Sequence, residues 1–233
     1  MSTLRERLAA VEDRIAAACL RAGRTRGDVR LMAVSKTHPA STIREAAAAG
    51  LMLFGENRVQ EFEAKRAELP GGIEVHLIGH LQSNKAAKAA GIFSAIDTVD
   101  SLRLLERLND AREQSARPLP VLLEIKLSEE EAKAGFAPGS PELRQALERA
   151  SGLQQVRVRG LMTIAPLDEN PETARVCFRR LRNLRDELAR QYQRIELQEL
   201  SMGMSGDFEI AIEEGSTLVR IGTALFGVRE AQV

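Results

Sequence analysis

Residues 30–36 read Arg-Leu-Met-Ala-Val-Ser-Lys, a short apolar run that closes on the amine of Lys36. A run of this length, bounded by polar residues, is typical of a strand buried in a parallel sheet. Seven similar runs follow it, near 51–54, 74–79, 93–97, 120–126, 157–163, 196–200 and 217–221. The pattern of the first run therefore recurs along the whole chain.

Helical patterns alternate with these runs, which indicates repeated strand–helix units. An amphipathic segment from Leu4 to Gly23 comes first, and a short segment after Gly222 comes last. The others lie near 40–49, 56–68, 83–90, 101–115, 141–151, 171–191 and 206–214. Eight such units predict an α/β fold, a single (β/α)8 TIM barrel over residues 1–233 with an extra N-terminal helix. A doubly wound open sheet, with fewer strands and a reversal in strand order, is the alternative.

Charge and composition exclude several classes of protein. Lysine plus arginine equals aspartate plus glutamate at 33 each, so no basic field indicates binding to nucleic acid or to an anionic membrane. No apolar run approaches the roughly 20 residues of a membrane span, and charges interrupt the segment where a signal peptide would be apolar. Cys19 and Cys177 lack motif spacing, as expected in a reducing compartment. We therefore expect a cytoplasmic protein.

In such barrels the functional side chains cluster at the C-terminal ends of the strands. Those positions hold polar residues, namely Lys36, 56–58, 79–80, Asp97, Lys126, Thr163, 201–205 and 220–223. They include cations and glycine-flanked backbone, but no pair of carboxylates spaced for general acid and base catalysis. His76 and His80 lack further ligands at suitable spacing, so we predict no metal site and expect His80 to line a pocket.

Lys36 stands at the centre of the functional hypothesis. In a closed barrel the first and last strands are neighbours, so the lysine would face the ends of the last two strands. Alternation places Lys36 on the same side as Met32 and Val34, where apolar surroundings would lower the pKa of the amine and favour imine formation. A strand-end lysine that simply reaches solvent is the alternative, and Lys126 competes for the same role.

The last two strand ends offer an anion site. Residues 201–206 read Ser-Met-Gly-Met-Ser-Gly, and Ile221-Gly222-Thr223 opens the final short helix. Backbone N–H groups at such a position favour anions, and phosphate binding after strands seven and eight is frequent in this architecture. An amine that faces a phosphate cradle fits an aldehyde carrying a phosphate, for which pyridoxal 5'-phosphate (PLP) is the obvious candidate.

Arg220 lies in the last predicted strand and shares a face with Leu218 and Gly222. An arginine that points into a barrel needs acceptors for its hydrogen bonds. An internal ion pair without function would supply them, and so would the pyridine nitrogen of PLP. Because arginine does not give up its proton, a ring in contact with it would stay neutral and be a weaker electron sink.

Six motifs, in order, carry a resemblance to known proteins. They are Ala-Val-Ser-Lys-Thr-His-Pro (33–39), Phe-Gly-Glu-Asn-Arg-Val-Gln-Glu (54–61), His-Leu-Ile-Gly-His-Leu-Gln-Ser-Asn-Lys (76–85), Gly-Leu-Met-Thr-Ile (160–164), Leu-Ser-Met-Gly-Met-Ser-Gly-Asp-Phe (200–208) and Val-Arg-Ile-Gly-Thr-Ala-Leu-Phe-Gly (219–227). Along essentially its full length the chain resembles the pyridoxal phosphate homeostasis protein family. That family has the fold type III PLP-binding barrel of alanine racemase without its second domain.

The resemblance implies a cofactor site and no catalytic residue, because family members influence vitamin B6 balance without an established turnover reaction. The residues it implies at the site are Lys36 as a covalent aldimine, Ser201, Gly222 and Thr223 at the phosphate, Arg220 beneath the pyridine ring, and Asn57, His80, Gly203 and Met204 around the pocket. PLP-dependent apoenzymes are the implied recipients, and we expect a monomer or weak dimer. Lys126 departs from the family, which more often has a small polar residue there.

Two alternatives to a carrier remain. Racemisation needs an acid–base group on each face of the substrate carbon, and in racemases with this barrel a tyrosine from another domain serves the second face. The single tyrosine, Tyr192, is predicted at a helix end far from the strand exits. A racemase or lyase of low activity is thus one alternative. A barrel enzyme that acts on a different phosphorylated carbonyl compound is the other.

Overall fold

The eight predicted strands form a closed parallel barrel in sequence order. This fold is seen in a computed structural model that describes residues 2–112, 117–127 and 134–227. The strands are β1 (Arg30–Val34), β2 (Leu53–Glu56), β3 (Glu74–Leu77), β4 (Ala95–Val99), β5 (Leu119–Glu124), β6 (Val156–Met162), β7 (Glu199–Ser201) and β8 (Leu218–Ile221). Because β1 pairs with both β2 and β8, the barrel is confirmed and the open sheet is excluded.

Helices cover the outside of the barrel. They are α1 (Leu4–Arg21), α2 (Ala40–Ala48), α3 (Val59–Arg66), α4 (Ala86–Ile92), α5 (Leu102–Ala111), α6 (Pro141–Ala150), α7 (Pro171–Gln191), α8 (Phe208–Glu213) and α9 (Thr223–Phe226). Helix α1 precedes the first strand, which confirms the extra N-terminal helix. Residues 113–115 of the helix predicted near 101–115 lie outside the described residues. Every helix in the described ranges is too short or too polar to cross a lipid bilayer.

Alternation along the strands separates an inner from an outer apolar layer. Met32, Leu53 and Leu218 pack together inside the barrel, with 0%, 6% and 0% of their surface exposed. Their neighbours along the chain, such as Ala33 and Val219, belong instead to the large core between the strands and the helices. Because this inner cluster contains only three buried apolar side chains among the described residues, the interior of the barrel also has space for charged side chains.

One such charged pair lies towards the N-terminal ends of the strands, near Arg30 and Glu74. His76 Nδ1 is 3.0 Å from Asp97 Oδ1, and both side chains are buried. Burial opposes the charged imidazole, but Asp97 and then Glu74 outweigh it and raise the pKa of His76 to about 9. His76 is therefore part of a structural ion pair, and within the described ranges no group of three or more side chains could hold a metal ion.

The second strand differs from its prediction. The strand predicted at 51–54 is found at Leu53–Glu56, so the helix predicted from residue 56 begins at Val59. A glutamate usually marks a strand end at the surface, but Glu56 is 0% exposed and its Oε1 lies 2.8 Å from Lys65 Nζ. The ion pair with Lys65, on the following helix, offsets the cost of burying the Glu56 carboxylate. The sequence pattern around Glu56 did not indicate this partner.

Candidate functional site

The ends of β1 and β8 meet at one edge of the barrel. Met32 pairs with Arg220, and a Cβ atom built on Gly222 would lie 3.5 Å from the carbonyl oxygen of Val34. The turn that carries Lys36 follows Val34 directly, and Lys36 is half-buried. The structure thus brings together the lysine-bearing turn and the Gly222–Thr223 segment, as the sequence predicted.

Arg220 points into the barrel, as alternation predicted, and is only 4% exposed. Its Nη1 donates to Ser201 Oγ at 2.8 Å and its Nη2 donates to the carbonyl oxygen of Thr163 at 2.9 Å. Burial lowers its pKa, against the longer-range attraction of carboxylates. None of the ion pairs among the described residues includes Arg220, so the predicted alternative of an internal ion pair finds no support there.

Ser201 is fully buried, and its hydroxyl accepts a hydrogen bond from Arg220. Gly222 is half-buried and Thr223 is exposed, so both are accessible at the rim. The three residues that the resemblance places at a phosphate therefore differ in position. Gly222 and Thr223 lie at the surface of the site, whereas Ser201 supports the guanidinium from below.

The loop after β7 depends on a glycine. Gly203 has a φ of 95°, and a Cβ atom built on it would lie 2.5 Å from the Cβ atom of Ala211. The Gly203 carbonyl oxygen accepts a hydrogen bond of 3.0 Å from the backbone N–H of Arg220. Glycine is therefore required at this position by both backbone conformation and space, and it ties the β7 loop to β8.

Two further hydrogen bonds shape the same loop. The Met204 N–H donates to Asp207 Oδ1 at 2.5 Å, which closes a tight turn before α8. Ser205 Oγ accepts from the N–H of Ala224 at 3.4 Å, which joins the β7 loop to the start of α9. Ser205 was not among the predicted site residues, although it lies in the glycine-flanked motif that pointed to them. We call Gly203–Ser205 and Gly222–Thr223 together the β7–β8 rim.

A cavity of about 450 Å³ opens at the ends of β2 to β6. Asn57 and His80, both predicted pocket residues, line it together with Lys126. The Oδ1 atom of Asn57 is buried and has no hydrogen-bond partner among the described residues. His80 is mostly exposed and its Nδ1 lies 3.0 Å from Asp100 Oδ2. The cavity thus adds polar groups to the same end of the barrel as the rim.

Glu124 also lines this cavity, and it was not among the site residues predicted from the sequence. It ends β5, and burial raises its pKa to about 7, with Asp100 adding to the rise and Arg220 opposing it. A signal was present, because Glu124 and Lys126 alternate in an otherwise apolar run and so share one face. The cavity therefore holds a carboxyl group that titrates near neutral pH.

Glu124 should make stability depend on pH. Because its pKa rises from 4.5 to about 7 on folding, the favourable contribution of the bound proton is complete below pH 4.5 and is lost as pH rises through about 7. Glu124→Gln keeps the size and removes the titration. We expect the free energy of unfolding of the variant, relative to wild type, to rise by about 2 to 3 kcal/mol between pH 4.5 and about pH 8. Urea unfolding at both pH values measures this, and an equal difference at both would contradict it.

Tyr192 lies at the other end of the barrel. It follows the last residue of α7, and helices of this fold run back to the end where the next strand starts. The single tyrosine is therefore remote from the β7–β8 rim, as predicted.

Comparison with known proteins assigns the chain to a family. Residues 7–230 match the family model of the alanine racemase N-terminal domain. The chain is 46% identical over 226 residues to the pyridoxal phosphate homeostasis protein of Aquifex aeolicus, covering 97% of this chain and 98% of that protein.

Solved structures agree. PipY of Synechococcus elongatus, with PLP bound, has a TM-score of 0.84 and 45% identity, covering 97% of this chain and 100% of that chain. An alanine racemase of Clostridium difficile shares the fold at 15% identity with a TM-score of 0.75, covering 98% of this chain and 57% of that one. The chain belongs to the alanine racemase N-terminal domain family and, within it, to the pyridoxal phosphate homeostasis proteins.

Proposed function

We propose that this protein binds PLP on Lys36 and keeps it available in the cytoplasm for PLP-dependent apoenzymes. The observation that carries the proposal is the position of the Lys36 turn beside the β7–β8 rim and above a buried arginine without an ion-pair partner among the described residues. The name of the Aquifex relative and the PLP bound to PipY support the same cofactor.

The donor set of the site fits PLP. When bound, PLP supplies an aldehyde carbon that a primary amine can attack, a pyridine nitrogen that accepts hydrogen bonds, and a phosphate dianion. Lys36 is the amine beside the rim. The Gly222 N–H and the Thr223 hydroxyl would bind the phosphate at the start of α9, where Ser205 already joins the two loops.

Arg220 would serve the pyridine nitrogen as a hydrogen-bond donor. Its contacts with Ser201 and Thr163 fix the guanidinium plane, and those acceptors are neutral, so its charge is not cancelled by a direct carboxylate. A guanidinium donates and does not accept, which keeps the ring unprotonated and limits its use as an electron sink. This arrangement favours storage of the cofactor over turnover.

The remaining predicted residues would shape the entrance. Gly203 allows the β7 loop to pack against α8, and Met204 follows it at the edge of the site. Asn57 and His80 would face the bound molecule from the cavity on the other side. The unpartnered Oδ1 of Asn57 offers an acceptor there.

Glu124 favours one second candidate function. A racemase needs a second acid–base group, and Tyr192 is too remote, whereas Glu124 lies in the cavity with a pKa of about 7. A PLP-dependent racemase or lyase of low activity would therefore use Lys36 and Glu124.

Borohydride reduction of the protein after incubation with PLP tests the proposal, since it makes the covalent link permanent. We expect peptide mass mapping to find the adduct on Lys36, both in the wild type and in the control Lys126→Ala. An adduct confined to Lys126, or no adduct, would overturn the proposal. Amino-acid turnover that requires PLP, even at a low rate, and that is lost in both Lys36→Ala and Glu124→Gln would establish the second candidate instead.

A further inference from the structure

A buried ionic cluster lies beneath the turn that carries Lys36. Lys65, on α3, has Nζ 2.8 Å from Glu56 Oε1 and donates to the carbonyl oxygens of Ser35 at 3.3 Å and His38 at 3.0 Å. The side chains of Lys65 and Glu56 are 9% and 0% exposed. Since an ammonium group has three hydrogens, these three acceptors account for all of them, and two belong to the turn.

Glu61 extends the cluster to the other side of Lys36. Its Oε1 lies 3.5 Å from Lys65 Nζ and accepts a hydrogen bond from the backbone N–H of Thr37. The Ser35 hydroxyl, in turn, donates to Glu56. Both neighbours of Lys36 in the chain are thus tied to one group of side chains, which we call the Lys65 cluster (Glu56, Glu61 and Lys65).

Thr37 shows that the turn is strained. Its φ of 66° is the only positive value of a residue other than glycine in the described ranges. The left-handed conformation costs an L-residue about 1 to 2 kcal/mol, and a β-branched side chain makes it rarer still. Such a conformation persists only where the surroundings impose it. The Ser35–His38 backbone hydrogen bond and the two bonds from Lys65 close the turn, and Glu61 accepts directly from the Thr37 N–H.

We propose that the Lys65 cluster positions Lys36 for covalent capture of the cofactor. This inference rests on the proposed function. Glu61 and Lys65 act on the backbone of the turn, as positioning residues, and direct the Lys36 amine towards the β7–β8 rim. Without Glu61 the Thr37 N–H loses its acceptor, and only the Lys65 bonds and the Ser35–His38 bond still hold the turn, so the position of Lys36 becomes less fixed. A displacement of about 1 Å in such a geometry can cost about 100-fold in rate.

Two substitutions of Glu61 isolate the restraint. Glu61→Ala removes the acceptor for the Thr37 N–H, whereas Glu61→Gln keeps an oxygen at the same place. Both leave the buried Lys65–Glu56 pair intact, and the Glu61 side chain is 25% exposed, so both should fold. We expect Glu61→Ala to slow the attachment of PLP to Lys36, trapped with borohydride, by about ten-fold or more. The rate in Glu61→Gln should stay within about two-fold of wild type.

A readout without cofactor accompanies the rate. Amide hydrogen exchange at Thr37 in the PLP-free protein should be faster in Glu61→Ala and near the wild-type rate in Glu61→Gln, with the urea midpoint almost unchanged. Adding Thr37→Gly to Glu61→Ala should restore part of the attachment rate, because glycine adopts the left-handed conformation without strain.

The outcomes separate the two proposals. If the wild type forms no adduct at Lys36, the proposed function fails, and the purpose assigned to the cluster fails with it. If the wild type forms the adduct and Glu61→Ala forms it as fast, with unchanged exchange at Thr37, only the positioning role is overturned. Equal losses in Glu61→Ala and Glu61→Gln would also overturn it, because the charge of Glu61 rather than its contact with Thr37 would be the cause.

Discussion

Replacement of Lys36 by alanine is expected to abolish covalent attachment of PLP completely. The near-visible absorbance of the lysine-bound cofactor should fall to background, and no adduct should survive borohydride reduction. The physical reason is that the β1–β8 pairing places the turn carrying the Lys36 amine beside the β7–β8 rim. PLP should still bind weakly through Arg220 and the rim, because those contacts do not involve Lys36.

Lys126→Ala is the matched control for this experiment. Lys126 lines the neighbouring cavity and also carries a primary amine. Both variants therefore lose one lysine, and a difference between them reports on the position of the lysine that was removed. We expect this variant to keep the absorbance and the adduct. Full absorbance in Lys36→Ala, and its loss in Lys126→Ala, would move the covalent site to the cavity.

Gly160→Ala is expected to have the largest effect on stability. Gly160 pairs with Glu199 across β6 and β7, and a Cβ atom built on it would lie 1.9 Å from the carbonyl oxygen of Glu199. Backbone on both sides prevents relief by a side-chain rotation, so the two strands must separate. We expect a loss of about 3 kcal/mol or more in the free energy of unfolding, measured by urea titration. The shift should also disturb Ser201, the residue that ends β7, and thereby weaken PLP binding.

Gly91→Ala serves as the control for Gly160→Ala. Gly91 lies on the exposed side of α4, and a Cβ atom built there meets no atom within 4 Å. Alanine is the better helix former, by up to about 1 kcal/mol. We expect this variant to be as stable as wild type or slightly more stable. A similar loss in both variants would show that the contact with Glu199 is not the cause.

The prediction for Arg220 shows what could be derived from local sequence. Strand side chains alternate between two faces, so the positions of Leu218 and Val219 were enough to place the guanidinium inside the barrel. Closure of the barrel followed from the number of strand–helix units, and it brought Lys36 beside Gly222. Both predictions are confirmed, because each depends on periodicity or on the order of elements.

The partners of these residues could not be derived in the same way. The resemblance implied Ser201 at a phosphate, which stays a prediction, and the hydrogen bond from Arg220 to its hydroxyl could not be derived from the sequence. Glu56 was expected outside the second strand, and Lys65 makes its burial possible. Such contacts join residues on different elements, and their distances depend on how those elements pack rather than on the spacing of residues in the chain.

The sequence by itself determined the order of strands and helices, the closed barrel and the end of it at which the polar residues lie. These follow from a repeat of about two residues in strands and about 3.6 in helices, together with the rule that first and last strands adjoin in a barrel. Only the tertiary structure decided which acceptors hold Arg220, how Glu124 shares the cavity with Lys126, and how the turn at Lys36 is held. Burial, ion pairing and backbone strain are properties of packed neighbours, and they exist only once the barrel has closed.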